Sequence, residues 1–592
     1  MNIIHLLSQN HLTGAEVYAV TLAQQQLAQA HQVYQISNDF FLETPATKIS
    51  RDVETTSKLI SIKNILWLWH FLRQKNIHVI HTHSRAAAKL AYWATIFTKT
   101  AQISTVHGIQ HASLSKKLYN QYGQFIIAVC DNIKTHLIKD FFYNQSRIKV
   151  IANPVSTTDY YSIHSTSHAT SLKIAIIGRT TGPKKIRTEQ VLQALKDTNA
   201  EITLIGGKLA DLDIKAELKS KIKEVTHIKL NSQIYSQYDL IIGSGRACME
   251  SLLTGIKTIA FGEASYIGLI TQNNFFAALK SNFGDIHPDS QHPVINLSQF
   301  NSDVQAKFTE HHVLAKLAQN EFSLNLLSPK IQRLYESAYF LKNYSSWIPI
   351  LMYHKIPETE INSKHKIYVK QKNFEKHLRF FKNRGFETIT FSDLQKFRTG
   401  IKSFVEFPKK PLILTFDDGY TDNLLQASPL LKKYNFKAQL FLLANSEINY
   451  NSWDMNANEP LHKIVSGPDR QQWKDSQFEI ASHGFSHKKI TEFNVEAAFA
   501  ELAESKKSLE QEFNITINAY AFTYGITDYN SAVLAQKAGY DYAVNTDRGG
   551  LLIEEEPYNV FRVNMFPEEN LFSLFKKTSK WYRKYYFIKR KK

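Results

Sequence analysis

At 592 residues the sequence is too long for one hydrophobic core, and about 100 to 200 residues per domain predicts three to five packed domains. The content of 43% hydrophobic and 21% charged residues is that of an ordinary globular protein, and two cysteines exclude a disulfide framework, which favours the reducing cytoplasm. The net charge is +18, but residues 576–592 carry nine Lys/Arg and no acid, so the rest is only mildly basic.

The N-terminal half alternates short apolar runs with amphipathic stretches. The first series comprises NIIHLL, AEVYAVTLAQQQLAQA, QVYQIS, HVIHTH, QISTVHG and FIIAVC, and the second comprises LKIAIIG, EITLIGG, THIKL, YDLIIGSG and KTIAFGE. Such alternation predicts parallel sheets with crossover helices. We therefore expect two Rossmann-like domains, residues 1–160 and 161–345, the second ending in the helical stretch SPKIQRLYESAYFL. MNIIHLL lacks the regions of a signal peptide, and no apolar run is long enough to span a membrane.

Several positions in these domains are candidates for nucleotide binding. Thr13 to Glu16 has the spacing of a capping box, and Gly14 would let a phosphate approach the start of a helix. Arg179 and Lys184, in IIGRTTGPKK, could neutralise a diphosphate, and Glu250 could accept hydrogen bonds from ribose hydroxyls. Taken singly, each is equally a structural glycine or a solvated surface charge.

Together these motifs resemble the GT-B glycosyltransferases of family 4. The matching stretches are TGAE, HTHS, TVHG, RIKVIANPV, GRTTGPKK and GRACMESLLTG, within residues 1–340. The resemblance implies an acceptor domain, a donor domain and a nucleotide-sugar such as UDP-HexNAc between them. It also implies retention at the anomeric carbon, no essential metal, Glu250 on the ribose and His107 near the donor sugar. Ile242 stands where the family's first acid is expected, and Lys184-Lys185 replaces its lysine-glycine.

A third αβ domain, residues 346–575, is predicted from IPILMYH onward. Asp417 and Asp418 end an apolar strand in PLILTFDDGY, where their repulsion requires a cation. FEIASHGFSH places His483 and His487 four residues apart after another strand, a spacing that brings two imidazoles to one side of a helical turn. Either motif alone is more often a turn or an ordinary histidine pair. Jointly they predict a metal site.

This domain resembles the polysaccharide deacetylases of carbohydrate esterase family 4, which have a distorted (β/α) barrel. The matching stretches are LMYH, TFDDGY, HGFSH and YAFTYG. The resemblance implies a divalent metal, commonly zinc, and an oxyanion held in part by the backbone N–H of Tyr524. The implied metal ligands are Asp418, His483 and His487, with Asp417 as general base.

The domain also departs from that family at two points. Thr523 stands where many relatives have proline, which predicts a less rigid loop. FRVNMF lacks the histidine that often serves as general acid, and we assign that role to His354 instead.

The basic C-terminal segment, residues 576–592, is predicted to be an interfacial membrane helix. Its predicted apolar face continues from the preceding residues and comprises Leu571, Leu574, Phe575, Thr578, Trp581, Tyr582, Tyr585 and Ile588. A solvated tail and a nucleic-acid-binding segment are the alternatives. Since no nucleic-acid-binding motif accompanies the segment, we expect no nucleic-acid partner.

The combination predicts a bifunctional enzyme of envelope glycans. A HexNAc unit would be transferred and its acetyl group then removed, with a lipid-linked saccharide such as a lipopolysaccharide core as acceptor at the inner face of the membrane. One alternative makes the N-terminal half a glycan- or nucleotide-binding module without transfer. Another makes the C-terminal domain an O-esterase, because a metal site alone does not distinguish amide from ester.

Overall fold

In the computed structural model the chain forms two compact units, Met1–Lys342 and Asn343–Lys592. The structure describes residues 1–110, 121–162, 171–226, 228–287, 294–343, 347–399, 401–402, 406–457, 459–528, 530–546 and 549–591. The predicted α/β class, with two Rossmann-like sheets followed by a distorted β/α barrel, is confirmed. The predicted boundary between residues 345 and 346 lies outside the described residues, and the predicted domain boundaries stay predictions.

The first sheet has seven parallel strands in the order β3-β2-β1-β4-β5-β6-β7. The strands are β1 Asn2–Leu6, β2 Gln32–Ser37, β3 Thr47–Ser50, β4 Val79–Thr82, β5 Ala101–Val106, β6 Phe125–Ala128 and β7 Ile148–Val150. The helices are α1 Gly14–Ala28, α2 Lys58–Gln74, α3 Arg85–Thr95 and α4 Asp131–Phe141. Strand order reverses between β1 and β4, and ligands bind at such a switch point in open α/β sheets.

The second sheet has six strands in the order β10-β9-β8-β11-β12-β13, with β13 antiparallel. The strands are β8 Leu172–Ile177, β9 Ala200–Ile205, β10 Ile222–Val225, β11 Leu240–Gly243, β12 Lys257–Phe261 and β13 Tyr266–Leu269. The helices are α5 Pro183–Ala194, α6 Ala216–Lys219, α7 Ser232–Tyr235, α8 Arg246–Thr254, α9 Phe275–Lys280, α10 Leu297–Gln305, α11 His311–Phe322 and α12 Leu324–Asn343. Ile331 and Tyr335 of α12 are buried in the core of the first sheet, against Ile3 and Tyr18.

The third sheet has the strand order β20-β19-β18-β17-β16-β14-β21, with β15 paired to β16. The strands are β14 Ile350–Tyr353, β15 Glu387–Thr388, β16 Pro411–Asp418, β17 Ala438–Leu442, β18 Phe478–Ser482, β19 Ala519–Ala521, β20 Tyr542–Val544 and β21 Val563–Asn564. The helices are α13 Gln371–Asn383, α14 Phe391–Arg398, α15 Ser428–Lys433, α16 Val495–Phe513, α17 Ser531–Lys537, α18 Leu571–Lys577 and α19 Lys580–Lys591. No ladder joins β20 to β21 within the described ranges, so the barrel is open there.

Two local predictions in the first unit were wrong. THIKL, residues 226–230, is not a strand in its described positions. The edge strand of the sheet is instead β10, which ends just before it at Val225. His227 lies outside the described residues. The capping box at Thr13 does not form: the Thr13 hydroxyl donates to Gln9, and the Glu16 carboxylate accepts from the backbone of Phe41. A preceding side chain and a distant backbone N–H thus replaced the predicted reciprocal pair.

The basic C-terminal segment also differs from the single predicted helix. It begins in α18 and continues in a separate helix, α19. Arg583, predicted on the solvated cationic face, is instead buried with its guanidinium 3.4 Å from the ring centre of Phe561. Trp581 and Tyr585 are exposed as predicted. Among the described residues, no helix has both the length and the hydropathy needed to cross a bilayer.

Close packing between two glycine backbones gives a test of the fold. A Cβ at Gly262 would lie 1.9 Å from the carbonyl carbon of Gly284, whereas a Cβ at Gly108 would meet no atom within 4 Å. We expect Gly262→Ala to cost about 1–3 kcal/mol because backbone must move. Gly108→Ala is the matched control. Thermal melting should show a lower transition temperature for Gly262→Ala alone, and equal melting of both variants would contradict the packing.

Candidate functional site

The carboxyl ends of β16 and β18 bring together three residues of the predicted metal site. In the sheet Asp418 of β16 is level with Leu442 of β17, which is level with Ser482 at the end of β18. His483 follows immediately, and its backbone N–H donates to the carbonyl of Leu442 at 2.9 Å. Strand register therefore holds Asp418 and His483 as neighbours although 64 residues separate them in the chain.

The Asp418 carboxylate lies between two imidazoles. Its Oδ1 atom is 3.3 Å from Nε2 of His483 and 3.2 Å from Nε2 of His487, and all three side chains are buried. This oxygen makes no hydrogen bond of ordinary geometry among the described residues. The Nδ1 atom of His483 bonds the Ala521 carbonyl at 2.9 Å, which directs Nε2 towards Asp418. One carboxylate and two imidazoles fit a divalent cation of the zinc type.

His487 reaches this site from a loop, so the predicted helical turn was wrong. Residues 483–489 form bends and irregular backbone, and His487 itself has φ +55°. Its ring stacks on Trp453 with 3.8 Å between centres, and Tyr524 lies 5.0 Å away. Aromatic packing rather than helix periodicity therefore orients the second imidazole.

Asp417, beside this site, is held by a residue that the sequence analysis missed. Arg562 donates from Nη1 to Oδ1 at 2.6 Å and from Nη2 to Oδ2 at 2.8 Å, and both side chains are buried. Burial alone would raise the pKa of Asp417, but the Arg562 guanidinium, together with the nearby His483 and His354, more than offsets it and the pKa is lowered. Arg562 belongs to FRVNMF, the stretch that we searched only for a histidine.

His354 and Tyr524 lie around the same carboxylates. Nε2 of His354 is 3.9 Å from Oδ2 of Asp417, and burial lowers the pKa of His354 despite that nearby charge. Tyr524 has the left-handed φ of +57°, within a short turn. The Thr523 hydroxyl donates to the Lys488 carbonyl at 2.5 Å, and the lower rigidity expected of this loop stays a prediction.

The first unit contains a cavity of about 840 Å³ at the carboxyl ends of both its sheets. Gly14, His107, Arg179 and Lys184, predicted from separate motifs, all line it. Glu250 does not. The cavity therefore joins four of the five predicted positions across two sheets.

Three helices begin at this cavity without a side-chain cap. They are α1 at Gly14, α5 after Gly182 and α8 after Gly245. The first N–H groups of a helix lack partners within the helix, and the helix dipole favours negative charge there. The arrangement suits a phosphate-containing ligand.

The charged side chains in the cavity are partly paired with each other. Nζ of Lys184 bonds Oδ2 of Asp285 at 3.1 Å, and Nη2 of Arg179 is 3.7 Å from Oε1 of Glu263. The Arg179 side chain is 50% exposed, so it is the more accessible cation. The sequence analysis assigned neither acid: Glu263 ends the stretch KTIAFGE, which was interpreted only as a strand, and Asp285 lies outside the quoted motifs.

Glu250 lies on α8 but its carboxylate is buried. Arg246 donates from Nε to its Oε1 at 2.7 Å, and the Tyr235 hydroxyl donates to its Oε2 at 3.0 Å. Arg246, which the sequence analysis missed, lines the cavity in its place. A ribose contact by Glu250 stays a prediction and would require Arg246 or Tyr235 to release it.

Comparison with known proteins gave matches to two families. Residues 12–159 match Glycosyltransferase Family 4, and residues 405–543 match Polysaccharide deacetylase. YxkH of Bacillus subtilis, described as a polysaccharide deacetylase, is 28% identical over 231 residues, which cover 39% of this chain and 76% of YxkH. A Staphylococcus aureus poly-beta-1,6-N-acetyl-D-glucosamine N-deacetylase is 22% identical over 203 residues, 33% of this chain and 67% of the relative. A glycosyltransferase structure from Rickettsia africae has a TM-score of 0.46 at 18% identity, covering 58% of this chain and 99% of the other.

The Asp418 arrangement predicts a measurable metal content. Replacing Asp418 with Asn removes the carboxylate between the imidazoles, so we expect the zinc-loaded protein to lose about one ion per chain. Asp475→Asn, at an exposed aspartate, is the control and should leave the content unchanged. Plasma mass spectrometry after desalting measures the ratio. An unchanged zinc content in Asp418→Asn would contradict the assignment.

Proposed function

Because the chain carries a glycosyltransferase family 4 domain and a polysaccharide deacetylase domain, we propose that it is a bifunctional glycan enzyme. It transfers a sugar from a nucleotide-sugar and removes an N-acetyl group by metal-dependent hydrolysis. The observation that carries the second activity is the buried set of Asp418, His483 and His487 beside an aspartate that Arg562 keeps ionised.

In the proposed hydrolysis, Asp418, His483 and His487 hold the cation, which we take to be zinc. When bound, the cation would polarise the acetyl carbonyl and lower the pKa of a bound water towards about 7. Asp417, ionised beside Arg562, accepts a proton from the attacking water. The water oxygen adds to the carbonyl carbon to give a tetrahedral oxyanion, and the C–N bond then breaks as its nitrogen takes a proton, which yields acetate and an amine.

Two further groups take roles around this centre. The backbone N–H of Tyr524 stabilises the oxyanion. His354, next to Asp417, passes the proton to the leaving nitrogen. Because its pKa is lowered, the protonated form of His354 gives up its proton readily. The similarity to an N-deacetylase supports amide rather than ester hydrolysis. Ester hydrolysis is the alternative outcome of the test below.

For the transferase we propose a donor such as UDP-HexNAc in the 840 Å³ cavity, with its diphosphate at the uncapped helix starts and Arg179. Retention of configuration is part of this proposal. Ile242, at the position of the missing first acid, is buried in β11, whereas Glu263 and Asp285 offer carboxylates in the cavity. These acids favour an active site over a binding module without transfer.

We propose that the acceptor is a lipid-linked saccharide reached at the inner face of the membrane. Trp581, Tyr585 and Ile588 follow one another at helical spacing on α19, and all three are exposed beside lysines. An exposed aromatic stripe on a basic helix is suited to an anionic lipid surface.

The hydrolysis is tested with N-acetylglucosamine oligomers and with O-acetylated sugars. Asp417→Asn should lower acetate release by about 10²-fold or more, because an amide cannot take the proton. Arg562→Lys keeps the charge but not the paired hydrogen bonds, so its loss should be smaller than that of Arg562→Met. Zinc content should stay at the wild-type value in Asp417→Asn. Full activity in that variant would refute the base, and activity on O-acetyl sugars alone would make the domain an esterase.

The transferase is tested by nucleotide release from a panel of UDP- and GDP-sugars. Arg179→Ala should raise the KM for the productive donor by about tenfold, the usual scale for one charge-assisted phosphate contact. Lys185→Ala is the matched control, because Lys185 is adjacent to Lys184 but pairs with Asp213 outside the cavity. No release from any sugar would favour the binding module.

A further inference from the structure

A second group of histidines lies in the first unit, on one face of its sheet. His5 of β1 and His81 of β4 are direct partners across the parallel pair. His83 follows two residues after His81 and therefore points to the same side. The side chains are 0%, 0% and 4% exposed, so all three imidazoles are inside the protein.

These imidazoles are neutral at physiological pH. Burial lowers the pKa of His5 to about 4, and it lowers the pKa values of His81 and His83 well below the usual range. Repulsion among the three lowers those of His81 and His83 further. The neutral ring, with one nitrogen lone pair, is the form of histidine that binds metals.

The hydrogen bonds locate the lone pair of His5 and hold the ring of His81 in place. Nε2 of His5 bonds the amide oxygen of Gln26 at 2.9 Å, and since that oxygen only accepts, Nε2 carries the proton. The unprotonated Nδ1 of His5 faces Nε2 of His83 at 2.9 Å. His81 bonds the Tyr335 hydroxyl from Nδ1 and the Thr105 hydroxyl from Nε2, each at 2.6 Å. Gln26 and Tyr335 thus orient two of the rings from behind, as second partners do at metal sites.

One nitrogen from each ring lies within 4.8 Å of the other two. Nitrogens bound to a zinc ion at about 2.0–2.1 Å are a little over 3 Å apart, so small side-chain rotations would suffice. His81 would exchange its bond to Thr105 for the metal and keep the one to Tyr335. The Nδ1 atom of His83 has no hydrogen-bond partner among the described residues, so rotation of that ring would give up only its Nε2 bond to His5, in exchange for the metal.

We propose that His5, His81 and His83 form a binding site for a d-block divalent cation such as Zn²⁺. Three imidazoles without a carboxylate select zinc, nickel or copper rather than magnesium or calcium, which prefer oxygen. The ion would connect β1 to β4 next to His107, whose ring centre is 5.9 Å from that of His83 in the cavity wall. The site is separate from the proposed deacetylase centre and its role is structural.

The test uses the full-length chain with Asp418→Asn. This substitution removes the carboxylate ligand of the other proposed metal site. The protein is stripped with a chelator, loaded with Zn²⁺, desalted and analysed by plasma mass spectrometry. We expect about one zinc ion per chain, and a loss of that ion when His83→Gln is added. His78→Gln is the control, because His78 immediately precedes β4 and accepts from the backbone N–H of Asn2 but is not in the cluster. It should keep the ion.

Two results would overturn the proposal. One is an Asp418→Asn chain that retains no zinc, a result that does not depend on whether a histidine variant folds. The other is a zinc content of the Asp418→Asn chain that neither His83→Gln nor His5→Gln lowers. A second readout is melting: Zn²⁺ should raise the transition temperature of the Asp418→Asn chain, and Mg²⁺ should not. Activity of either domain is not needed for these measurements.

Discussion

The C-terminal site depends on the electrostatic cost of two adjacent carboxylates inside the protein. Asp417 and Asp418 are each 3% exposed, and a buried carboxylate is stable only when it is paired. The chain gives each its own partner. Arg562 binds Asp417 through two hydrogen bonds, and the imidazoles of His483 and His487 surround one oxygen of Asp418. Dividing the partners in this way leaves one aspartate for a cation and the other for proton transfer.

The backbone makes that division possible. Asp418 ends β16 with φ +74°, and Gly419 follows with φ +83°, so the chain leaves the strand at the second carboxylate. A Cβ at Gly419 would lie 2.4 Å from Cδ1 of Leu442, so only glycine fits beside the neighbouring strand. The DDG sequence is therefore more than a turn. It directs two consecutive side chains to different partners.

How much of this the sequence predicts depends on the distance between partners along the chain. Strands and the main helices follow from periodicity, which is local, and the aspartates and histidines follow from short motifs. Arg562 is 145 residues from Asp417, and no local pattern distinguishes it from a surface arginine. The same reason explains the burial of Arg583 on Phe561, where tertiary packing replaced the predicted solvent contact. Arg246 and Glu250 differ, because they are an i,i+4 pair on α8 and helical spacing alone brings them together.

The two groups of buried histidines differ because of one carboxylate. His483 is as deeply buried as His5, and burial alone lowers the pKa of both, yet the pKa of His483 is raised because Asp418 and Asp417 stabilise its charged form. His5 has only a neutral amide and other imidazoles around it, so its pKa falls to about 4. A cation at Asp418 would therefore compete with a proton on His483 for the same carboxylate, whereas a cation at His5 would displace no proton. A cation at His5 would instead bring an uncompensated charge into the sheet. The histidine site of the first unit is therefore costlier to occupy than the site at Asp418.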